Sequence, residues 1–482
     1  MKLKLSHCLG PAGCLLLAVI FAVPSLSEPA APPEPFPSSG ILSIFRDDFP
    51  FFSPDGEVSP VSVPPARLGC GVKLLNRLED NFALRFRLLE QARRSIKIQT
   101  YIFTGDEVGH RVADALVQKQ RGGVDVQLIV DAYTKFHSED REMYLDLEKK
   151  GIAVLGFEPV YLLGTANHQV LSVDDVNKRF HEKYWVIDGH AALLGGTNIA
   201  NEYARYGDDP DKKWRDQDVL LTGPVVADVA AAFDSNYEYF LARREHRLPT
   251  NQVEWWVKLW WKIFRKAPPP PAAPAAPAAL DVGELTAADV PVRFIRSRPR
   301  FHEDYVYQAY LHLLRNARQD ILIENSYFVP NHAFTNSLLE AARRGVEITV
   351  ITTADSSNDV PGIQPLIRYS YLPLMEAGVK IYEWAGDHPG HGCLHSKFAI
   401  IDGQVSVIGS FNLDPRAVYL NSEDVVLIAS QQVAGELREF VDTVDLPASH
   451  EVTLDQAREW HDPKEVSAKF KLYFGIALEE WY

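Results

Sequence analysis

His181-Glu-Lys-Tyr-Trp-Val-Ile-Asp-Gly189 and His395-Ser-Lys-Phe-Ala-Ile-Ile-Asp-Gly403 carry His, Lys, Asp and Gly at the same spacings. Each runs on to a glycine and an asparagine at matching distances, Gly195 and Asn198 in the first stretch and Gly409 and Asn412 in the second. With each residue type near 5% of sequence, six identities at one constant offset arise by chance with probability on the order of 10⁻⁸ per start position. The chain therefore contains an internal repeat. Residues i and i+2 of a strand face the same side, so His181 and Lys183 project together, as do His395 and Lys397, while Val186, Ile187, Ile400 and Ile401 bury the strand. One copy would fit a half-buried strand with surface His and Lys equally well. Two registered copies argue against that.

The register persists beyond these two segments. Ala92-Arg-Arg-Ser-Ile-Lys-Ile-Gln-Thr-Tyr-Ile-Phe103 reads as a helix end followed by a strand, and Ala317-Arg-Gln-Asp-Ile-Leu-Ile-Glu-Asn-Ser-Tyr-Phe-Val329 repeats it. Helices closing at Gly123-Val124 and Gly151-Ile152 are matched by Gly345-Val346 and Gly378-Val379, with strands 125–130 and 347–351 after the first of each pair. Strands alternating with such helices predict an α/β sandwich in each half, with a site at the shared face.

Between the halves, residues 267–279 are proline and alanine only, which predicts a stiff, solvated linker. Just before it, Trp256, Leu259, Trp260, Ile263 and Phe264 share one helical face, and Lys258, Lys262, Arg265 and Lys266 the other. A basic, tryptophan-rich amphipathic helix is the form of an interfacial membrane anchor; the alternative is a surface helix packed on its own domain. The N-terminus has a charged start, an apolar run over 15–23 and small residues at Ser25 and Ser27, the outline of a secretory signal. The run falls short of the roughly 20 residues of a membrane span, which disfavours an uncleaved anchor. The expected organisation is a signal peptide over 1–27, a proline-rich extended arm over 28–66, a first repeat over 67–250, the tryptophan-rich helix and linker over 251–280, and a second repeat with a C-terminal tail over 281–482. The expected location is exported, periplasmic and membrane-associated.

The chain has 482 residues, 46% hydrophobic and 23% charged, which suits an enzyme-sized globular body. With 49 Lys+Arg against 64 Asp+Glu, its formal net charge of −15 provides no general attraction for nucleic acid, which is bound mainly through phosphate neutralisation. Cleavage of the leader would leave Cys70 and Cys393, read as two unpaired thiols.

A phosphodiester is an anion that repels nucleophiles, so attack on it needs fixed cations and amide donors around the non-bridging oxygens. Lys183, Lys397, Asn198 and Asn412 can supply them. Two imidazoles in different protonation states can act as nucleophile and as proton donor to the departing alcohol, without a separate metal or other cofactor. Each histidine then needs a carboxylate on its other nitrogen, and the candidates are Asp216, in Trp214-Arg-Asp216, and Glu423, in Leu420-Asn-Ser-Glu423. His388, His391 and His395 have ligand-like spacing, but no nearby Cys or acid completes a zinc site, so loop histidines are the simpler reading.

The paired segments resemble the duplicated His-x-Lys-x4-Asp motifs of the phospholipase D superfamily. Gly409-Ser-Phe-Asn-Leu-Asp-Pro-Arg416 and Gly195-Gly-Thr-Asn198 are similar to the cardiolipin synthase branch in particular. The similarity runs from about Leu75 to Ile428. It implies two similar α/β-sandwich lobes with the active site at their interface, and a ping-pong mechanism through a phosphohistidine, with His181 as nucleophile and His395 as general acid or the reverse. It implies a substrate-binding role for Ser410 beside the two asparagines, and a structural role for Asp188 and Asp402. The family's serine is replaced by Gly196 in the first repeat. The implied partners are a phospholipid membrane, a phosphatidyl donor and an alcohol or water acceptor. The competing reading is a secreted nuclease of the same superfamily, which the acidic balance disfavours; a catalytically silent lipid-binding module has no need of two complete motifs.

Overall fold

The computed structural model of the protein describes residues 35–52, 63–131, 138–156, 178–209, 213–247, 280–386, 392–463, 466 and 469. The expected signal peptide, the tryptophan-rich helix, the Pro-Ala linker, and His388 and His391 lie outside the described residues. All elements below belong to one unit, Phe36–Tyr482.

The first repeat contributes β1 (Arg67–Leu75), β2 (Ser95–Thr100), β3 (Asp125–Val130), β4 (Val154–Leu155), β5 (Tyr184–Ile187), β6 (Ala191–Gly195) and β7 (Asp218–Thr222). The second contributes β8 (Ala287–Ser297), β9 (Asp320–Asn325), β10 (Glu347–Thr353), β11 (Lys380–Trp384), β12 (Lys397–Ile401), β13 (Val405–Gly409), β14 (Glu423–Ala429) and β15 (Ser449–Glu451). The spatial order is β4-β3-β2-β5-β6-β7-β1 in one half and β8-β14-β13-β12-β9-β10-β11-β15 in the other. Apart from the added edge strand β15, one order reproduces the other, as the repeat requires. The two sheets are fused: β1 pairs antiparallel with β8, so a single 15-stranded sheet runs through both lobes.

The Gly-Val and Gly-Ile pairs that end four helices share one hydrogen-bond geometry. In each, the residue after the glycine donates to the carbonyl five residues back, and the glycine to the one three back: Val124 to Lys119 and Gly123 to Gln120, Ile152 to Leu147 and Gly151 to Glu148, Val346 to Ala341 and Gly345 to Ala342, Val379 to Leu374 and Gly378 to Met375. The glycines have φ of +86° to +93°, a backbone state that only glycine enters at no steric cost. The residue that follows each is buried and anchors the helix end to the core. This explains why the pair recurs in both halves.

Helices Val225–Arg247 and Gln431–Phe440 cover the centre of the sheet. Their Val229, Phe233, Val433 and Leu437 pack with Val72, Val186 and Val219 of the first repeat and Phe294, Ile400 and Ile408 of the second in one apolar core. Each fully buried side chain of this size contributes about 1.5–3 kcal/mol, so a core drawn from both repeats fixes their mutual position.

Part of the proline-rich arm departs from the expected extended form. Residues Ile41–Phe45 form a short 3₁₀ helix, and Ile41, Ile44, Phe45 and Phe51 are buried in the second repeat's core. The buried guanidinium of Arg293 donates to the carbonyls of Ile44, Arg46 and Pro64. The scattered aromatics of the arm thus supply apolar area, and its backbone carbonyls satisfy a buried charge, which together hold it down. Cys70 and Cys393 are buried and unpaired. Among the described residues no helix is long and apolar enough to cross a membrane.

Candidate active site

The motif histidines sit just before β5 and β12, where each backbone is pinned by the opposite repeat. The N–H of His181 donates to Ser422 O at 2.9 Å, and that of Ser422 to Arg179 O at 2.7 Å. Likewise the N–H of His395 donates to Arg215 O at 2.7 Å, and that of Arg215 to Cys393 O at 2.7 Å. One residue beyond each bridge lies a carboxylate. Glu423 Oε2 is 2.9 Å from His181 Nδ1, and Asp216 Oδ2 is 2.7 Å from His395 Nδ1. Both carboxylates expected from sequence are therefore in place, and they are crossed between the repeats. With Nδ1 engaged, Nε2 of each ring is the nitrogen left for chemistry.

The lysines project as the i, i+2 spacing predicts and turn back on the histidine backbone. Lys183 Nζ donates to His181 O at 2.7 Å. Lys397 Nζ donates to Ser326 Oγ at 2.9 Å and to His395 O. Burial pushes both ammonium groups down, Lys183 to about 7, because an ion out of water loses its hydration. A bound phosphate would favour the charged form of each. Burial, and then the cations Lys183, Lys397 and Arg416, hold His181 well below the usual imidazole range. Burial and Lys397 do the same to His395, but Asp359 pulls the other way. The carboxyls move up, again through burial: Asp216 to about 6 and Glu423 to about 7, with Lys397 and Lys183 respectively the leading opposing cations.

The polar groups divide unequally. Asn198 accepts from the N–H of Ile102 at 3.0 Å and donates to Tyr203 Oη at 2.8 Å, so much of its amide is already engaged. Asn412 is buried with Oδ1 unpartnered among the described residues. Ser410, expected to bind substrate, turns its hydroxyl to Glu423 Oε2 at 2.5 Å and accepts from the N–H of Asp424 at 3.0 Å. It steadies the carboxylate that holds His181. In the first repeat that place is closed: a Cβ on Gly196 would lie 2.1 Å from Asp216 Oδ1. The shorter aspartate reaches its histidine by occupying the space that the serine side chain and longer glutamate share in the second repeat.

Asp188 and Asp402 lie on the turns after β5 and β12 with φ of 54° and 53°. Asp188 accepts from the N–H groups of Arg93, Arg94 and Ser95, and Asp402 from those of Arg318, Gln319 and Asp320. Each ties the hairpin to the strand beside it, which matches the structural role.

Several residues of the site carry no motif signal. Tyr101 packs edge-on against His181, with ring centroids 4.9 Å apart. Tyr203 and Trp214 lie 5.3 and 5.6 Å from His395. Arg215 is clamped by both oxygens of Asp445 at 2.9 Å and donates to the carbonyl of Asp216. The adjacency of Trp214 and Arg215 to Asp216 was a signal for these two; Tyr101, Tyr203 and Asp445 come from elements whose sequence reads as ordinary core.

Residues 86–236 and 310–444 match the family model described as cardiolipin synthase, PLD-like domain. The chain is 28% identical over 420 residues to cardiolipin synthase B of Escherichia coli (strain K12), covering 86% of this chain and 91% of that one. It is 26% identical over 374 residues to cardiolipin synthase A of Yersinia pseudotuberculosis, covering 78% and 69%. The crystal structure of phosphatidylserine synthase from Haemophilus influenzae Rd KW20 superposes with a TM-score of 0.60 at 16% identity, over 90% of this chain and 97% of that one, which shows a shared fold. With two registered His-Lys motifs, a crossed carboxylate on each imidazole and a family match over more than half its length, the chain belongs to the cardiolipin synthase, phospholipase D-like family.

Proposed function

We propose that the protein is a phosphatidyltransferase of the cardiolipin synthase type, working through a phosphohistidine on His181. The carrying observation is the crossed pairing of His181 with Glu423 and of His395 with Asp216. The local charges support a division of labour. Burial, and then the cations Lys183, Lys397 and Arg416, keep His181 neutral and therefore nucleophilic. Burial and Lys397 hold His395 low as well, but Asp359 opposes that shift, which makes His395 the better placed of the two to donate to the departing alcohol. His181 Nε2 attacks phosphorus and His395 protonates the leaving oxygen. The acceptor then attacks the phosphohistidine from the vacated side, giving its proton to His395. Lys183, Lys397 and Asn412 stabilise the negative oxygens throughout.

The substrates on this reading are a glycerophospholipid donor and an alcohol or water acceptor at a membrane surface, reached from the exported side. The acidic net charge and the relatives' names support lipid over nucleic acid. The test is incubation of purified protein with phosphatidylglycerol vesicles and, separately, single-stranded DNA, followed by mass spectrometry. Cardiolipin or phosphatidic acid from the vesicles, absent with His181→Ala and His395→Ala, is expected. Nucleotide products with no lipid turnover would reject the proposal.

A further inference from the structure

A carboxylate outside both motifs meets the chain two residues before His395, at Cys393. Asp359 lies in the loop after β10, and this loop is tied down by its neighbours. Leu394 N–H donates to Ser357 O at 3.2 Å, Val360 N–H to Asn358 Oδ1 at 2.8 Å, and Asn358 Nδ2 to Thr353 Oγ1 at 2.9 Å. Asp359 itself is exposed. Its Oδ1 accepts from Tyr327 Oη and lies 3.8 Å from the Sγ of Cys393, two residues before His395. Its hydrogen bonds among the described residues engage Oδ1, and it acts electrostatically on Lys397 and His395. A carboxylate at the edge of an anion site works against phosphate binding. What it offers in return is a strong acceptor for hydroxyl groups.

We propose that Asp359, oriented by Tyr327, selects the acceptor: it accepts a hydrogen bond from a second hydroxyl of a polyol whose first hydroxyl is set against His395. The inference rests on the phosphatidyltransfer reading above. In the step concerned, the acceptor oxygen forms a bond to phosphorus as the bond from phosphorus to His181 breaks, and the acceptor's proton passes to His395. Water and simple alcohols can follow the same path but have no second hydroxyl for Asp359. The carboxylate therefore biases the fate of a common intermediate towards polyols and away from hydrolysis.

The test is a competition. Phosphatidylglycerol vesicles are given with deuterated glycerol and ethanol at equal concentration, and the ratio of deuterated phosphatidylglycerol to phosphatidylethanol to phosphatidic acid is measured. This ratio reads the intermediate's partition and is independent of how much enzyme is active. Asp359→Ala is expected to lower the glycerol-to-ethanol ratio about 10- to 100-fold, the size of one charge-assisted hydrogen bond. Total turnover should fall as well, since Asp359 also favours the protonated form of His395, and the product ratio is read independently of that fall. Asp359→Asn and Tyr327→Phe should fall between. An unchanged ratio with all three products reduced together would overturn the proposal, leaving Asp359 only an electrostatic support for His395. Absence of any lipid product from the wild type would overturn the transfer reading, and this inference with it.

Discussion

The ring of His181 is held by a carboxylate from the other half of the chain, with Nδ1 2.9 Å from Glu423 Oε2. The reciprocal bond joins His395 to Asp216 at 2.7 Å. Neither repeat therefore contains a complete acid–base unit, although each contains a complete motif. A carboxylate in this position fixes the tautomer and orientation of the ring and stabilises its charged form. Glu423→Gln and Asp216→Asn are each expected to lower kcat by about 10²- to 10⁴-fold with little change in KM. The double variant should lose far less than the product of the two, because one chemical step uses both rings. Steady-state kinetics on short-chain phosphatidylglycerol checks this. A multiplicative double variant would mean that the two pairs act independently.

The division between nucleophile and acid can be seen directly. With a p-nitrophenyl phosphodiester, whose leaving group needs no proton, His395→Ala should form the phosphohistidine and then stall. Intact-mass measurement should find an acid-labile adduct in His395→Ala and none in His181→Ala. The opposite pattern would exchange the two roles.

How far the sequence discloses this site depends on what kind of contact each residue makes. His181, Lys183, His395 and Lys397 are legible because one repeat carries the same spacing twice, and the Gly-Val helix ends because a left-handed cap followed by a buried residue leaves a local signature. Asp216 and Glu423 are legible as candidates, but their crossed assignment comes from the β1–β8 fusion of the two sheets, which no local pattern encodes. The contact of Ser410 with Glu423 is not legible, because its motif position says nothing of the direction in which its hydroxyl turns. Tyr101, Tyr203 and Asp359 reach the site through tertiary packing alone.

Gly196 has a steric reason that can be tested. Its Cβ position falls 2.1 Å from Asp216 Oδ1 and 2.7 Å from Cγ, so Gly196→Ala must displace the carboxylate from His395. The expected loss is comparable to that of Asp216→Asn, about 100-fold or more in kcat. Ser410→Ala removes one hydrogen bond to a carboxylate that keeps Asn421 as a donor at 3.2 Å, and should cost only about 10-fold. Equal effects of the two substitutions would contradict the asymmetry between the repeats.

Asp188 and Asp402 should separate from the catalytic residues in experiment. Each accepts from three backbone N–H groups, so truncation to alanine strands several donors. Asp188→Ala should destabilise by about 2–4 kcal/mol, and Asp188→Asn by less, since asparagine keeps an acceptor and tolerates the positive φ of 54°. Thermal denaturation reads the loss. Activity per folded molecule, measured well below the transition, should stay within a few-fold of the wild type.

The carboxyls that serve the histidines weaken the fold at neutral pH. Burial raises Glu423 from 4.5 to about 7 and Asp216 from 3.8 to about 6. Between those limits the folded protein keeps protons that the unfolded chain has released. Their contribution to stability is full below about pH 4 and is lost as pH rises through 6 and 7. The histidines act in the opposite sense: with pKa values below 6.5 in the fold, they favour folding above 6.5 and lose that contribution as pH falls. Glu423→Gln removes one carboxyl while leaving Lys183, Lys397, Ser410 and Asn421 around it. The variant should gain on the wild type as pH rises from 4.5 to 8, by up to about 3 kcal/mol from the 1.36 kcal/mol carried by each pKa unit. It should do so while losing activity, as expected where a buried charge is kept for chemistry. Denaturant unfolding of both proteins across that range checks the sign. A stability difference that stays flat with pH would show that Glu423 titrates alike in the folded and unfolded chain.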